Sequence, residues 1–136
     1  MDIKTIGSGN EKDFYPTPKE LAEVMLENVD WDYVETVLEP SAGKGDLVDV
    51  INEESVKGWY KGTYYPRKEK DIDCVEIDEN LQHILRGKGY KVVHDDFLTF
   101  NTFKHYDLII VNYPRLKSRA CIKNNATHYS LSVLVD

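Results

Sequence analysis

The chain has little of what would fix its class at once. Among 136 residues there are two cysteines, Cys74 and Cys121, and neither metal-ligand spacing nor a disulfide framework surrounds them. Reduced, structural thiols are expected. The four histidines, His83, His94, His105 and His128, are dispersed and suggest no metal site. No apolar run is long enough to span a bilayer, so no membrane partner is expected. The first residues, Asp2, Lys4, Ser8, Gly9, Asn10 and Glu11, lack the apolar region of a signal peptide, which makes a cytoplasmic location the default. Positive charge is scarce as well: 17 Lys and Arg against 24 Asp and Glu give a net charge of −7. That balance argues against a surface that grips nucleic acid throughout. The scarcity is uneven, because Lys57, Lys61, Arg67, Lys68 and Lys70 crowd into residues 57–70 beside Glu69 alone. Arg115, Lys117, Arg119 and Lys123 likewise face only Asp136 in residues 113–136.

What is present centres on Val37-Leu38-Glu39-Pro40-Ser41-Ala42-Gly43-Lys44-Gly45-Asp46. A short apolar run ends in an acid, two glycines follow, and Leu47, Val48, Val50 and Ile51 then show helical periodicity. This order reads as a buried strand over 34–39, a tight loop, and a helix over 46–52. Small loop residues let a ligand approach the backbone, and a helix N-terminus offers unpaired N–H groups. Upstream, Pro16 and Pro18 forbid regular helix, and Thr17 is the expected N-cap of a helix over 18–28, with Glu20 completing a capping box. Downstream, residues 55–70 read as a polar surface loop carrying Trp59, Tyr60, Tyr64 and Tyr65 among lysines. That loop could meet DNA by stacking and phosphate pairing. A second strand follows over 71–77, then a helix from Asp78 or Glu79 through Leu85 that Gly87 and Gly89 stop. A third strand covers 91–93. The continuous apolar run over 106–111 suits a parallel strand buried on both faces. One domain is expected, of class α/β with a parallel sheet and right-handed crossovers.

Ligands of such sheets bind beyond the carboxyl ends of the strands. The loop lacks the third glycine of the dinucleotide fingerprint, because Val48 stands there, and it lacks a Gly-Lys-Ser/Thr phosphate loop. Glu39 and Asp46 bracket it, and acids repel phosphate while attracting ammonium or sulfonium. Glu76, at the end of the second strand, can accept both hydroxyls of a ribose. Asp96, after the third, can accept from an adenine amine, with Phe97 against the ring. Each has a plainer alternative: Glu76 or Asp78 capping the next helix, Asp95 or Asp96 capping a turn, and Phe97 in the core. Together, the four strand ends favour a cationic nucleoside without phosphate.

The ordered set resembles the S-adenosylmethionine-dependent DNA adenine (amino-group) methyltransferases, phage or prophage type. Phe14-Tyr15-Pro16-Thr17-Pro18 resembles the family's opening element, Glu39 to Asp46 its cofactor loop, and Glu76 in Val75-Glu76-Ile77-Asp78 its ribose acid. Asp96-Phe97 resembles its adenine-binding pair, and Asp107-Leu108-Ile109-Ile110-Val111-Asn112 the strand leading to its catalytic asparagine. The resemblance covers about residues 13–112. It implies a Rossmann-like class I methyltransferase sheet and S-adenosyl-L-methionine as cofactor. The implied cofactor contacts are Thr17, Pro18, Glu39, Pro40, Ser41, Ala42, Gly43, Gly45, Asp46, Glu76, Asp96 and Phe97. DNA is the implied substrate, and Asn112, Tyr113 and Pro114 the implied catalytic residues.

In that family the asparagine oxygen and the next carbonyl accept the two hydrogens of the adenine amine, which pyramidalises the nitrogen and aims its lone pair at the methyl group. An aromatic residue stacks on the flipped base. Here Tyr113 replaces the first proline, keeping the carbonyl but losing stiffness, and Pro114 restores some of it by holding Tyr113 extended. Arg115 replaces the aromatic, which weakens base stacking without abolishing it. Residues 113–136 turn abruptly basic and rich in Asn, Ser and Thr, with only 129–135 strand-like. The expectation is a cofactor-binding part over 1–112, truncated after the fourth strand, and an atypical tail over 113–136 from truncation or frame-shift. Activity is therefore in doubt, and self-association through an uncovered sheet edge is expected. Two rival readings follow: a non-catalytic cofactor-binding or interaction module, and a methyltransferase acting on RNA or a protein amide.

Overall fold

The computed structural model describes residues 17–110, 119–123 and 129–133. Its centre is a four-stranded parallel sheet built from β1 (Thr36–Glu39), β4 (Asp71–Val75), β5 (Lys91–His94) and β6 (Leu108–Ile109). The spatial order is β5-β4-β1-β6. The chain therefore steps outward from β1 through β4 to β5, then returns to the other side of β1. That reversal marks the switch point where open α/β sheets bind their ligands.

Three helices, α1 (Lys19–Leu26), α2 (Asp46–Glu54) and α3 (Glu79–Gly87), supply the packing. Alternation along the strands sorts side chains to two faces. Val37, Ile72, Cys74, Leu108 and Ile110 pack in one cluster with Ala22, Met25 and Leu26 of α1, with Leu47, Val48, Val50 and Ile51 of α2, and with Leu85 of α3. On the other face Leu38, Val75 and Ile109 meet Tyr106, with Phe97 and Phe100 packed against them. Ile51 and Val48 are completely buried, each side chain contributing about 1.5–3 kcal/mol by leaving water. Cys74 is buried and unpaired in this core, and burial pushes its thiol up to about 12, so it stays protonated.

Three sequence expectations change. Thr17 is not the N-cap of α1: Pro18 holds that position with no side-chain cap bond, and the Ala22 N–H donates to the Pro18 carbonyl at 3.0 Å. The Thr17 N–H donates instead to Asp46 Oδ2 at 3.3 Å, which commits this residue to a tertiary contact. Residues 55–70 are not a loop. They form an antiparallel hairpin of β2 (Lys57–Tyr60) and β3 (Thr63–Pro66), with Tyr60 opposite Thr63. Lys61 (φ 49°) and Gly62 (φ 77°) form the two-residue turn, both in the left-handed region that a type I′ turn requires. Within the expected fourth strand over 106–111, Leu108–Ile109 pair with β1, the Asp107 N–H donates to the Thr36 carbonyl at 3.0 Å and the Ile110 N–H to the Leu38 carbonyl at 3.1 Å. The Asp107 carboxylate takes the Glu35 and Thr36 N–H groups at 2.9 and 3.2 Å, and Val111 lies outside the described residues.

β7 (Arg119–Lys123) and β8 (Tyr129–Val133) pair antiparallel as a separate two-stranded sheet, with β8 beside β6. The second of these strands falls where the sequence is strand-like; the first was not expected. Among the described residues no helix is long and apolar enough to cross a membrane.

Candidate functional site

The carboxyl ends of β1 and β4 lie side by side, with Glu39 level with Cys74. Glu39 closes β1 and is only 2% exposed. Its Oε1 accepts the Ser41 N–H at 2.8 Å, turning the chain at the buried Pro40. The Ala42 N–H then donates to the Val75 carbonyl at 3.0 Å, which ties the loop to the end of β4. Gly43, with φ 60°, donates its N–H to Glu76 Oε1 at 2.7 Å. The other oxygen of Glu76 accepts the Asp78 N–H at 2.8 Å. Glu76 is 4% exposed, so one buried carboxyl group bridges the glycine loop and the turn into α3. Asp78 itself caps α3, its Oδ1 accepting the Leu81 N–H at 2.9 Å. The plainer alternative for Asp78 is thus the structural one, while Glu76 is not the cap.

Electrostatically this is an unusual pair. Burial pushes Glu39 up to about 8, against the Ser41 N–H bond, with Glu76 adding to the rise. Burial also raises Glu76, although the Asp78 and Gly43 N–H groups work the other way. Among the described residues, neither carboxyl group has a Lys, Arg or His partner within salt-bridge distance. Two buried acids without a countercharge have the chemistry to accept a cation or hydroxyl donors. Asp46 stands at the first position of α2, 3.8 Å from the Lys44 ammonium and in contact with Thr17. The structure thus brings Thr17 against the first residue of α2.

Gly45 has a role other than ligand approach. Its φ is 96°, and a Cβ placed there would lie 2.9 Å from the Tyr90 ring and 3.0 Å from Leu85. The protein's own aromatic fills that space, so this glycine is required for loop-to-α3 packing. Tyr90 donates its hydroxyl to Asp49 of α2, and the Asp49 N–H returns to the Gly45 carbonyl at 2.8 Å. Sequence reading missed the Tyr90–Asp49 buttress, because nothing local links residues so far apart in the chain.

Beyond β5, the His94 carbonyl accepts the Glu76 N–H at 3.3 Å, which sets Asp95 and Asp96 next to this site. Asp96 Oδ1 accepts the Leu98 N–H at 2.9 Å and so caps a short 3-10 turn over Phe97–Thr99. Phe97 is half-buried against the second-face cluster. Both residues therefore serve the plainer purposes foreseen for them, with one Asp96 oxygen left for another donor. Pro18 is exposed at the start of α1, and Ser41 and Ala42 line the loop described above. Phe14, Tyr15 and Pro16, and the catalytic candidates Asn112, Tyr113 and Pro114 with Arg115, lie outside the described residues. No group of three or more His, Cys, Asp or Glu among the described residues is placed to hold a metal.

Comparison with known proteins agrees with this geometry at the level of fold. No family model matches the chain. It is 28% identical over 99 residues to the Type II methyltransferase M.CvrRI of Paramecium bursaria Chlorella virus XZ-6E, a match covering 72% of this chain and 23% of that protein. The chain thus spans about a quarter of that relative's length. Among solved structures, StiE O-MT superposes with a TM-score of 0.51 at 17% identity, over 68% of this chain and 31% of that one. The chain has a Rossmann-like α/β fold of the kind found in methyltransferases, and its sequence resembles a methyltransferase over most of its length.

Proposed function

We propose that the chain carries the cofactor-binding part of an S-adenosylmethionine-dependent methyltransferase, with the exocyclic amine of adenine in DNA as methyl acceptor. One observation carries the reading: Glu39 and Glu76, buried without countercharge at neighbouring strand ends, with Glu76 bonded to the glycine loop. S-adenosylmethionine supplies an electrophilic methyl group on a positively charged sulfur and brings an ammonium and a ribose diol. Glu39 is the countercharge that ionises when that cation arrives. The Glu76 carboxylate accepts the Gly43 and Asp78 N–H groups and has lone pairs left for hydroxyls, so it orients the diol without releasing the loop. Asp96 accepts from the adenine amine of the cofactor, Phe97 flanks its ring, and Thr17 and Pro18 close the pocket from above Asp46.

For the acceptor, the reading rests on sequence order and on likeness to a type II methyltransferase. Asn112 and the Tyr113 carbonyl accept the two amine hydrogens, and Pro114 holds Tyr113 extended. Positioning, rather than a strong base, accounts for the rate, because the methylated ammonium product loses its proton readily. Residues 1–112 form the pocket-bearing part, and 113–136 an atypical tail.

Titration calorimetry with S-adenosylmethionine on the wild type and Glu76→Ala tests the pocket. Saturable binding that the variant weakens at least about tenfold is expected, in line with the loss of charge-assisted bonds to a diol. Absence of binding to the wild type would refute the cofactor. Labelled-methyl transfer to adenine-containing DNA, to RNA and to protein then separates the acceptors. Label in RNA or protein alone overturns the DNA reading, and binding without transfer to any acceptor leaves a cofactor-binding module.

A further inference from the structure

The β2–β3 hairpin and the residues directly after it, 57–70, are the one segment of residues 17–110 with a clear excess of positive charge: Lys57, Lys61, Arg67, Lys68 and Lys70 stand against Glu69 alone. Two of these cations are internal. The Arg67 Nε bonds Asp32 Oδ1 at 2.7 Å, and the Lys70 ammonium donates to the Trp31 carbonyl at 2.8 Å. With the Tyr65 hydroxyl on the same Asp32 oxygen at 2.9 Å, they fasten the ribbon to the body. The Tyr65 ring covers Gly58 on the opposite strand and stiffens the pair. The remaining cations point outward. Lys57 meets Glu54 loosely at 3.5 Å, Lys61 lies over the Tyr60 ring at 5.4 Å, and Lys68 has no ion pair among the described residues.

Between these lysines stand three exposed aromatic rings, Trp59 and Tyr60 at 66% and Tyr64 at 51% exposure. Trp59 and Tyr64 meet edge to face at 5.5 Å, so both rings are held in place while their outer surfaces stay open. An anchored ribbon that sets open rings among outward ammonium groups fits a polyanion with flat apolar faces.

The ribbon also sits at the wrong end of the sheet to serve the methyl-transfer pocket. The groove of about 450 Å³ at its base is walled by Thr36 and Asp71, the first residues of β1 and β4, together with Tyr65 and Arg67. The glycine loop, Glu39 and Glu76 lie at the opposite strand ends.

We infer that the β2–β3 hairpin is a separate contact for single-stranded nucleic acid, stacking bases on Trp59 and Tyr64, which share one face, and pairing phosphates with Lys57, Lys61 and Lys68. The contact needs no methyl donor and stands whether or not the pocket binds one. Base stacking tolerates any sequence, so no sequence preference is expected.

Trp59 reports on the contact directly, since the other tryptophan, Trp31, is buried. Titrating the full chain with oligo-dT without cofactor should quench its fluorescence saturably. Three phosphate contacts should give a log–log salt slope of about −2. Trp59→Ala, followed by anisotropy of labelled oligo-dT, should weaken binding about tenfold, as loss of one stacked base does. Lys61→Gln/Lys68→Gln should flatten the salt slope by more than half while leaving the thermal melt unchanged. The inference is overturned if oligo-dT gives no saturable signal, or if both variants bind like the wild type. It is equally overturned if duplex DNA binds more tightly than the single strand, or if poly-glutamate binds as well as oligo-dT, which would point to an acidic protein.

Discussion

Both ends of the parallel sheet bury carboxyl groups, and they treat them in opposite ways. Toward the amino end, Asp73 in the middle of β4 has a side chain only 4% exposed, yet it has cationic partners. The Tyr106 hydroxyl donates to Oδ2 at 2.6 Å, the Lys104 ammonium lies 2.9 Å from the same oxygen, and the Lys91 ammonium lies 2.9 Å from Oδ1, an ion pair without a hydrogen bond. Burial by itself would raise its pKa; the Tyr106, Lys104 and Lys91 bonds outweigh it and hold the carboxyl below its ordinary range. At the carboxyl end, Glu39 and Glu76 receive backbone N–H groups and no cation, so burial wins and both are raised. Burial is similar at the two ends, and what differs is the partner. An ammonium and a phenol compensate a buried charge; one or two amide dipoles do not. The amino end is closed on itself and serves stability. The carboxyl end holds its two carboxyl groups without a cation among the described residues.

The widest consequence is in pH. Glu39 has its folded pKa raised from 4.5 to about 8, so the stability it contributes is complete below pH 4.5 and is lost as pH rises through about 8. Over pH 5 to 9 this amounts to a loss on the order of 4 kcal/mol at this one group. Asp73 runs the other way: its folded pKa is lowered from 3.8, so its contribution is present above pH 3.8 and is lost as acid titrates it. Glu39→Gln cannot ionise and should flatten the alkaline limb while leaving the acid limb in place. Urea unfolding at pH 5, 7 and 9 reads this. A variant whose stability falls as steeply toward pH 9 as the wild type's would remove Glu39 from the comparison. In the wild type, affinity for S-adenosylmethionine should rise with pH across the same window, and affinity for the uncharged thioether product should rise less.

Breaking the closed end comes next in size. Asp73→Ala leaves the buried Tyr106 hydroxyl without its acceptor and removes one of the two carboxylates between Lys91 and Lys104. The expected cost is about 3 kcal/mol at pH 7, the low end for an opened buried pair because the lysines are partly exposed. That is a fall in melting temperature of roughly 10 °C or more for a domain of this size. A fall of only a degree or two would mean that the network closes without its central carboxylate. A smaller loss, about 2 kcal/mol, is expected for Gly45→Ala at the open end, where the left-handed φ and the Tyr90 ring both oppose a Cβ. Tyr90→Ala in the same chain should relieve the contact but not the backbone strain, so the double variant should not melt like Tyr90→Ala alone.

How far these two ends were legible in sequence follows from the range of each interaction. β1, α2, β4, α3 and β5 announce themselves through apolar runs and periodicity, which are local. Glu39 and Glu76 could be singled out because the topology alone sends strand ends to one place. Asp73 could not: it interrupts an apolar strand, and its partners Lys104 and Tyr106 are more than thirty residues away. The Tyr90 buttress under Gly45 was hidden for the same reason. The hairpin was missed on turn chemistry, since Lys61-Gly62 occupies a turn that Asn-Gly would have advertised. Thr17 had the signature of a cap and was diverted by Asp46, a competition that local sequence does not record.

The smallest effect decides whether the closed end is a network or a single bond. Lys104 reaches both Asp71 and Asp73, at 2.7 and 2.9 Å, but its side chain is 32% exposed and Lys91 spans the same two carboxylates. Lys104→Gln therefore leaves Asp73 with Lys91 and Tyr106, and the exposed part of the lost pair was already screened by solvent. The expected cost is about 0.5 kcal/mol at low ionic strength, fading in about 0.5 M salt as the Debye length shrinks. Denaturant unfolding at the two salt concentrations resolves it. A salt-independent loss as large as that of Asp73→Ala would show that Lys104 alone holds the buried carboxylate ionised. The amino end would then be one ion pair away from the uncompensated state of Glu39, and the contrast between the ends would be one of occupancy rather than design.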